Sequence, residues 1–479
     1  MFCFPAVVFH VFSNQPPWFV LQRYFFKNLS LEKYRFAGFF LRESIGKHFW
    51  TVYNIEEKGI IFKKENGKNG NTIEARKDKT MKYDFTTIID RQGKDALAVE
   101  VAPFEGAVVK EGFDKIPMWV ADMNFATVPT VQEAMKARIE HPCFGYFRPR
   151  EEYFDSIIRW QEQRHGMTDL KPEYIGYENG VLGGVASAVG VLGSRGDKIL
   201  VHAPTYVGFT HVLEDNGYHI VHSQLKKDEN DVWRMDFEDM ERKLKEEKIH
   251  MAILCSPHNP CGRVWERWEL ERAMELYKKY DVYVISDEIW SDIILNGHEH
   301  IPTQMVSEDA RQRTIALYAP SKTFNLAGLV GSYHIIYNSY LRDRLNKESS
   351  LSHYNSMNVL SMYALIGAYQ QEGYEWVDEL CQVLTENANF ACDYIGEHFK
   401  GVKVSRPQGT YMLFLDCTEW CETHGKTMDE LLQAGASVGV MWQDGRPFHG
   451  THSIRMNLAL PKQRVEEAME RLQKYVFAE

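Results

Sequence analysis

The chain has 479 residues, of which 44% are hydrophobic and 25% charged, and these are ordinary values for a globular protein. The net charge of −11 includes no basic block, which argues against a nucleic-acid-binding surface as the main function. No stretch reaches the ~18 consecutive apolar residues of a membrane span. Eight cysteines without a C-x-x-C pair favour a reducing cytoplasm and give no metal-ligand spacing. We therefore expect a soluble, cytoplasmic protein of enzyme size with no metal.

The first 80 residues differ in composition from the rest. Residues 1–26 are rich in Phe and Val but lack the basic start and the cleavage pattern of a secretory signal. Residues 64–80 are polar and rich in Gly, Asn and Lys, which predicts a linker or a disordered segment. We interpret residues 1–80 as a non-catalytic N-terminal extension, with a targeting segment as the less favoured alternative.

From Met81 onward, short apolar runs alternate with longer amphipathic segments. Two of these segments, Asp236–Lys248 and Trp268–Tyr280, are apolar at helical spacing. Five runs are predicted to be buried strands: Lys198–His202, Tyr218–His222, Met251–Cys255, Val282–Ser286 and Thr314–Tyr318. Strands that alternate with helices predict a mostly parallel sheet covered on both faces.

The last part of the chain, from about Gln370, predicts a smaller second domain. It contains two amphipathic helical segments and a hairpin-like strand around Tyr411–Asp416. We therefore expect four parts: the extension, an N-terminal arm with part of the small domain at 81–130, a large domain at 131–370, and a small C-terminal domain at 371–479.

Polar side chains stand at the ends of several predicted strands. Ligands of open α/β sheets bind beyond the carboxyl ends of the strands, so chemistry is expected there. The residues at these ends include a tyrosine, an asparagine, an aspartate and a lysine: Tyr206, Asn259, Asp287 and Lys322. Each alone has a common structural explanation, such as a solvated loop lysine or a helix N-cap. Their joint order along the chain indicates a functional site.

Eight ordered segments resemble the fold-type I pyridoxal-phosphate enzymes, and among them the MalY/PatB group of cystathionine β-lyases (cysteine-S-conjugate β-lyases) in the class I/II aminotransferase superfamily. The segments are IPMWVADMNF (116–125), FGYFRP (144–149), ENGVLGG (178–184), APTYVGF (203–209), SPHNPCGRVW (256–265), SDEIWSD (286–292), APSKTFNLAGL (319–329) and SIRMNLALP (453–461). The resemblance implies an α/β fold of fold type I, with a large domain whose mostly parallel sheet lies between helices and a smaller α+β C-terminal domain.

The resemblance also assigns roles to the four strand-end residues. Lys322 would carry pyridoxal 5'-phosphate covalently and act as the base for the substrate Cα proton. Asp287 would keep the pyridine nitrogen protonated, and Asn259 would donate to the phenolic oxygen of the cofactor. Tyr206 would stack on the cofactor ring and complete the catalytic set, although an aromatic residue after a strand is also common in a plain core.

A second group of residues would hold the phosphate. Gly180 opens a predicted helix, and the amides of Val181 and Leu182 would bind the anion as helix N-termini do. Ser321 is a further candidate donor. In the resembled group, a tyrosine at the position of Tyr146 reaches the cofactor of the neighbouring subunit, which implies a homodimer. The alternatives are close helix packing for the glycines and a packed loop aromatic for the tyrosine.

The substrate would be held near the end of the chain. Arg455 matches the family arginine that grips the substrate α-carboxylate, and a guanidinium clamp would orient the amino acid. Asn457 projects to the same face as Arg455 if this segment is a strand. Trp119 and Ala121 are further candidates for the substrate pocket.

Two positions depart from the aminotransferase pattern. Val330 stands where many aminotransferases of this fold place an arginine on the phosphate, which favours the lyase group. Trp290 stands where a tyrosine usually contacts the phenolic oxygen, and an indole can donate a hydrogen bond but cannot ionise. We also count Trp290 among the cofactor-binding candidates.

The sequence is therefore predicted to encode a β-lyase that cleaves a cysteine thioether such as L-cystathionine. Two alternatives stay open. An aminotransferase needs the same lysine, aspartate and arginine, and only the fate of the Cα carbanion differs. A cofactor-binding regulator would need a DNA-binding helix pair, and residues 1–80 show none. The expected partners are a small amino-acid thioether and a second copy of the chain, without nucleic acid or membrane.

Overall fold

The computed structural model describes residues 39–42, 49–55, 59–65, 72–74, 81–352 and 355–478. The chain divides into two compact units, Met1–Met81 and Lys82–Glu479. Each unit is described below by itself.

The Met1–Met81 unit contains a four-stranded antiparallel sheet in the order β1-β2-β3-β4. Its strands are β1 Phe39–Arg42, β2 Phe49–Ile55, β3 Gly59–Glu65 and β4 Thr72–Glu74. The prediction of a linker or disorder over residues 64–80 is wrong for 64–65 and for 72–74. The physical reason is that Thr72 and Ile73 are β-branched and favour extended pairing, which the polar composition of the whole segment hid. The other residues of that prediction lie outside the described residues.

The Lys82–Glu479 unit alternates strands and helices. Its strands are β5 Ile116–Pro117, β6 Ile175–Glu178, β7 Lys198–Ala203, β8 His219–Gln224, β9 Lys226–Lys227, β10 Trp233–Arg234, β11 Met251–Cys255, β12 Tyr283–Asp287, β13 Thr314–Tyr318, β14 Ser332–Ile335, β15 Lys403–Val404, β16 Met412–Asp416, β17 Val440–Met441, β18 Gln443–Asp444 and β19 Ser453–Asn457. Its helices are α1 Leu97–Glu100, α2 Pro129–Ile139, α3 Glu151–His165, α4 Gly180–Leu192, α5 Val207–Asp215, α6 Phe237–Glu246, α7 Arg267–Lys279, α8 Glu308–Arg313, α9 Pro320–Thr323, α10 Ser339–Ser352, α11 Val359–Ala368, α12 Gln371–His398, α13 Thr418–His424, α14 Met428–Ser437 and α15 Lys462–Tyr475.

The central sheet has seven strands in the order β6-β14-β13-β12-β11-β7-β8. The pairs from β13 to β8 are parallel, and β14 runs antiparallel to both of its neighbours. The expectation of a mostly parallel sheet is confirmed. The five predicted strands are all present, and their ends lie within two residues of the predicted ends.

Helices cover both faces of this sheet, because its strands are apolar on both sides. On one face, Ile253 and Ile285 of the sheet pack in one buried cluster with Val185 of α4. On the other face, Leu254 of the sheet packs in a second cluster with Leu270 of α7. Adjacent residues of β11 therefore point to opposite layers, as the pleat requires.

A smaller antiparallel sheet in the order β15-β16-β19-β18 follows at the C-terminal end. The strand expected around Tyr411–Asp416 is β16. The prediction of two amphipathic helices after Gln370 is incomplete, because α13 and α14 lie between α12 and α15. Helices of seven and ten residues have too few turns for a clear apolar period.

Candidate active site

A cavity of ≈ 200 Å³ opens at the carboxyl ends of the central strands, where the strand-end rule places ligands. Nine of the residues selected from the sequence line it: Ala121, Val181, Leu182, Tyr206, Asn259, Asp287, Trp290, Ser321 and Lys322. The fold therefore brings residues from six separate segments of the chain together around one small space.

Lys322 lies on α9, the single helical turn that follows β13. Its Nζ donates a hydrogen bond to the carbonyl oxygen of Ala121 at 2.7 Å and lies 5.6 Å from the centre of the Trp290 ring. Burial, together with the positive charge of Arg455, lowers the pKa of Lys322 to about 8. About a tenth of this amine is therefore unprotonated at pH 7, which is far more than for an ordinary lysine and is the form that a nucleophile or a base requires.

Asp287 is the last residue of β12 and lies at the base of the cavity. Its carboxylate accepts one hydrogen bond, from the backbone N–H of Ile289 at 3.1 Å. Burial raises the pKa of Asp287 to about 7, although the charge of Lys322 acts in the opposite direction. A buried carboxyl with so few donors has room for a cationic or N–H partner inside the cavity.

Tyr206 and Asn259 line the wall of the cavity. Tyr206 is the N-cap residue of α5, and a Cβ built at Gly208 would lie 2.4 Å from the tyrosine ring. The absence of a side chain at Gly208 therefore allows the ring its position. The Oδ1 atom of Asn259 accepts a hydrogen bond from Arg455 at 3.3 Å.

One end of the cavity is formed by the N-terminus of α4. Gly180 has a φ of +73°, a left-handed conformation that favours glycine, and the next two residues line the space. Ser321 lies at the same cavity. Val330, at the position where many aminotransferases of this fold place an arginine, also lines the cavity, and Lys322 is the one cationic side chain among the described residues that line it. Neutral donors and backbone N–H groups therefore dominate this end.

Arg455 is 3% exposed and lies on β19. Its guanidinium donates to the carbonyl oxygen of Trp119 at 3.0 Å and to Oε1 of Gln443, and it lies 4.5 Å from the centre of the Phe448 ring. Its Nε has no hydrogen-bond partner, and burial lowers the pKa of Arg455 to about 10. No ion pair of Arg455 with a carboxylate occurs within residues 81–352 and 355–478. The buried charge is therefore left for an external anion.

Three other predicted residues do not line the cavity. The Nδ2 atom of Asn457 donates to the carbonyl oxygen of Val120 at 2.7 Å and to that of Asp122 at 2.5 Å. The indole of Trp119 donates to the carbonyl oxygen of Ala98 at 3.0 Å. Both side chains thus fix the backbone that presents Ala121. Tyr146 is fully exposed, and this single chain does not bring it to the cavity.

Sequence reasoning missed other members of the site. Tyr411 donates to the carbonyl oxygen of Ala121 at 3.1 Å, and its ring lies edge-on to Trp290 with centroids 4.7 Å apart. Cys255, Ile289, Ala327 and Gly331 also line the cavity. The strand-end rule could have found Cys255, which ends β11, whereas nothing in the local pattern distinguishes Tyr411 from a core tyrosine.

The described residues contain neither a membrane-spanning helix nor a cluster of metal ligands. No helix in this part of the chain is long and apolar enough to cross a membrane. No group of three or more His, Cys, Asp and Glu side chains in the same residues could hold a metal ion.

Comparison with known proteins identifies a family and several curated relatives. The family described as aminotransferase class I and II matches residues 114–472. Cystathionine beta-lyase PatB of Bacillus subtilis (strain 168) is 33% identical over 362 residues, which cover 75% of this chain and 92% of the relative. Protein MalY of Escherichia coli (strain K12) is 31% identical over 395 residues, which cover 81% and 97%.

Two solved structures are similar along most of the chain. A PLP-bound putative aminotransferase from Clostridium difficile 630 is 34% identical with a TM-score of 0.75, covering 82% of this chain and 99% of that one. The PLP-bound C-S lyase from Staphylococcus hominis is 29% identical with a TM-score of 0.75, covering 84% and 99%.

Proposed function

The chain belongs to the aminotransferase class I and II family, and we propose that it is a pyridoxal-phosphate-dependent C–S β-lyase. Its substrate would be L-cystathionine or a related cysteine S-conjugate, cleaved to pyruvate, ammonia and a thiol. One observation carries the proposal. A single cavity joins Lys322 to Asp287 with Arg455 beside it, in a chain that is 33% identical to a cystathionine beta-lyase.

The cavity fits pyridoxal phosphate at three points. Asp287 offers a buried carboxyl that lacks a cationic partner, which suits a protonated ring nitrogen. The N-terminus of α4 offers backbone N–H groups for a phosphate. Tyr206 offers an aromatic face for the ring. When bound, pyridoxal phosphate supplies an electron-accepting ring that stabilises negative charge at the substrate Cα.

Lys322 is the group that would move the proton. It reaches the cavity between Ala121 and Trp290, and its lowered pKa lets a neutral amine take the Cα proton of the substrate. The protonated amine can then return that proton to the departing sulfur. A thiolate is a good leaving group, so the departure needs little further assistance.

Arg455 would bind the substrate carboxylate. Its free Nε and its lack of a carboxylate partner leave both charge and a donor available. Its other donors hold Asn259 and the backbone at Trp119, so the guanidinium is fixed in position before substrate arrives. A fixed clamp of this kind orients the bond between Cα and its hydrogen toward Lys322.

Val330 favours the lyase over the alternative aminotransferase. The cavity rim lacks the arginine expected for the phosphate in many aminotransferases of this fold. The curated relative with 33% identity carries the name cystathionine beta-lyase. Both observations support elimination, and neither favours amino-group transfer.

We also propose a homodimer, located in the cytoplasm. Support for the dimer comes from the segment around Tyr146, where Phe144 is 57% exposed and Tyr146 is fully exposed, as expected of an arm that a second copy covers. Support for the cytoplasm comes from the seven described cysteines, all of which are free thiols. The domain parts at 81–130, 131–370 and 371–479 stay our proposal for the organisation of the folded enzyme.

The test uses purified protein saturated with pyridoxal phosphate and given L-cystathionine without a keto acid. We expect pyruvate and free thiol to appear in equal amounts over many turnovers. Lys322→Ala should abolish both products, whereas the exposed control Lys245→Ala should leave them unchanged. If neither product appears and an added keto acid restores amino-group transfer, the protein is an aminotransferase and the proposal fails.

A further inference from the structure

Three carboxylates lie within six residues at the end of β12 and in the turn that follows it: Asp287, Glu288 and Asp292. Asp287 lines the cavity, whereas Glu288 and Asp292 are buried behind it. The proposed chemistry uses only Asp287. The other two are therefore buried ionisable groups for which the mechanism gives no role.

Asp292 accepts a full set of hydrogen bonds. Its Oδ1 accepts from the indole N–H of Trp160 at 3.0 Å and contacts Nε2 of His165 at 2.9 Å. Its Oδ2 accepts from the hydroxyl of Thr323 at 2.8 Å. Thr323 is completely buried and is the residue next to Lys322 on α9. A single carboxylate thus joins the turn after β12 to the turn that carries the lysine.

The charge state of this group is fixed by its partners. Burial alone would raise the pKa of Asp292, but the hydrogen bond from His165 and the charge of Arg164 lower it. Burial lowers the pKa of His165 and so favours its neutral ring, although Asp292 acts in the opposite direction. Near neutral pH, an ionised Asp292 therefore meets three N–H and O–H donors, and charge-assisted hydrogen bonds of this kind are strong and directional.

Glu288 forms a second set of buried hydrogen bonds behind the cavity. Its carboxylate accepts from the hydroxyl of Tyr318 at 2.7 Å and from that of Ser286 at 2.9 Å, and it contacts Nε2 of His300 at 2.9 Å. Tyr318 is the last residue of β13, four positions before Lys322. The rings of His165 and His300 meet edge to face with centroids 5.4 Å apart, so the hydrogen-bonded groups around Asp292 and Glu288 are in contact.

We propose that Asp292 is a positioning residue for Lys322 and acts through the hydroxyl of Thr323. The hydrogen bond holds α9 against the turn that bears Asp287, which sets the distance between the lysine amine and the carboxylate across the cavity. The inference rests on the proposed function in one respect, namely that Lys322 receives the cofactor. It holds equally for a lyase and an aminotransferase, because both need the amine at the same place.

The experiment measures how fast the cofactor-free protein takes up pyridoxal phosphate, followed by the absorbance of the bound cofactor, in three threonine variants. Thr323→Val removes the hydroxyl and keeps the shape, whereas Thr323→Ser keeps the hydroxyl. Thr314→Val is the matched control, since Thr314 is also completely buried, lies on β13, and has a hydroxyl without a hydrogen-bond partner. Melting temperatures of the cofactor-free proteins are measured in parallel.

We expect Thr323→Val to slow cofactor uptake by about tenfold, because a small displacement of a reacting group costs one to two orders of magnitude in rate. Thr323→Ser and Thr314→Val should stay within about twofold of the wild type. Asp292→Asn, which removes the charge and keeps the size, should slow uptake like Thr323→Val and serves as the second variant if that protein does not fold.

The outcomes separate the two proposals. If a folded Thr323→Val or Asp292→Asn protein takes up the cofactor as fast as Thr314→Val, the hydrogen bond is only structural and the inference is overturned, whatever the loss in melting temperature. If Thr323→Ser is as slow as Thr323→Val, the hydroxyl is not the link. If the wild type takes up no cofactor at all, the proposed function fails instead.

Discussion

Asp287 and Asp292 are five residues apart and equally buried, yet their surroundings are opposite. Asp287 faces the cavity with one backbone donor, and burial raises its pKa to about 7. Asp292 faces away from the cavity with three donors, and its pKa lies below the ordinary value. Arg455, the buried arginine beside the cavity, likewise keeps a donor without a partner.

This difference in hydrogen bonding distinguishes buried polar groups that stabilise the fold from buried polar groups whose partner is a ligand. Buried polar groups are normally satisfied, so an unsatisfied group in an otherwise well-paired region indicates what is to bind there. Behind the cavity, the carboxylates of Glu288 and Asp292 both have hydrogen-bond partners among the described residues. In the cavity, the Asp287 carboxyl lacks a cation, and beside the cavity the Arg455 guanidinium lacks an anion. A cofactor ring nitrogen and an amino-acid carboxylate would supply these two partners.

Among substitutions of residues that line the cavity, we expect the largest loss of activity at Lys322. Lys322→Ala removes the amine that moves the Cα proton, so kcat should fall by about 10³-fold or more. Steady-state pyruvate formation measures it, and the melting temperature of the cofactor-free protein should stay close to that of the wild type. A variant that keeps more than a tenth of the wild-type rate would show that another group takes the proton.

The two aspartates should respond to amidation with opposite signs. The raised pKa of Asp287 lowers the stability of the cofactor-free protein as pH rises from about 4 to 7. Asp287→Asn should therefore be the more stable protein above pH 7, by up to about 4 kcal/mol, and equal to the wild type near pH 4. Denaturant unfolding at several pH values measures this difference.

Asp292→Asn is the matched variant for that experiment. The lowered pKa of Asp292 contributes stability above its ordinary range, and this contribution disappears as pH falls through the folded-state pKa. Asp292→Asn should therefore be less stable than the wild type at pH 7, with a deficit that shrinks in acid. If both variants changed the free energy of unfolding at pH 7 in the same direction, the proposed difference between Asp287 and Asp292 would be wrong.

Arg455 tests the substrate side of the cavity. Arg455→Met removes the guanidinium and should raise KM for the amino acid by about 10²-fold, since a charged hydrogen-bonded pair is lost. Because Arg455 also donates to Asn259 and its charge lowers the pKa of Lys322, the effect on substrate binding is measured as KM and not as cofactor uptake. Arg464, another largely buried arginine, is paired with Asp114, so Arg464→Met should reduce stability without raising KM. If KM rose in Arg464→Met and stayed unchanged in Arg455→Met, Arg455 would not be the group that binds the substrate carboxylate.

The smallest effect we expect is at the cavity rim. Val330 has a φ of +53°, a left-handed conformation that is unfavourable for a β-branched residue. Val330→Gly should raise the free energy of unfolding by about 1 kcal/mol, because glycine adopts this conformation without strain. Val108→Gly, at an exposed loop residue without positive φ, should not stabilise. A stability loss at Val330 would show that its side chain contributes more than its backbone conformation costs.

Much of this arrangement could be predicted from the sequence. Continuous apolar runs form the strand that ends at Asp287 and the strands that precede Asn259 and Lys322. The sequence therefore predicts the ends of these strands within two residues, and the strand-end rule places the site. The sequence does not predict the helices α13 and α14, because such short helices lack a clear period of apolar residues. Roles assigned by resemblance to Tyr206, Ser321 and the residues after Gly180 stay predictions.

The groups behind the cavity could not be found in this way. Trp160 and His165 lie more than a hundred positions from Asp292, and no local pattern indicates that they meet. The sequence predicts substrate contacts for Asn457 and Trp119, yet their side chains donate to backbone carbonyls. Trp119 donates to Ala98, and Asn457 donates to Val120 and Asp122. Which way a buried polar side chain points depends on long-range packing, and single-sequence reasoning does not supply it.

The central claim is that pyridoxal phosphate, held on Lys322, supplies the partner that the buried Asp287 carboxyl lacks. The most direct measurement is to saturate the protein with pyridoxal phosphate, reduce it with borohydride, digest it and locate the labelled peptide by mass spectrometry. The account expects one pyridoxyl group per chain, on Lys322, within the segment APSKTFNLAGL. A label on another lysine, or no label after saturation, would contradict it.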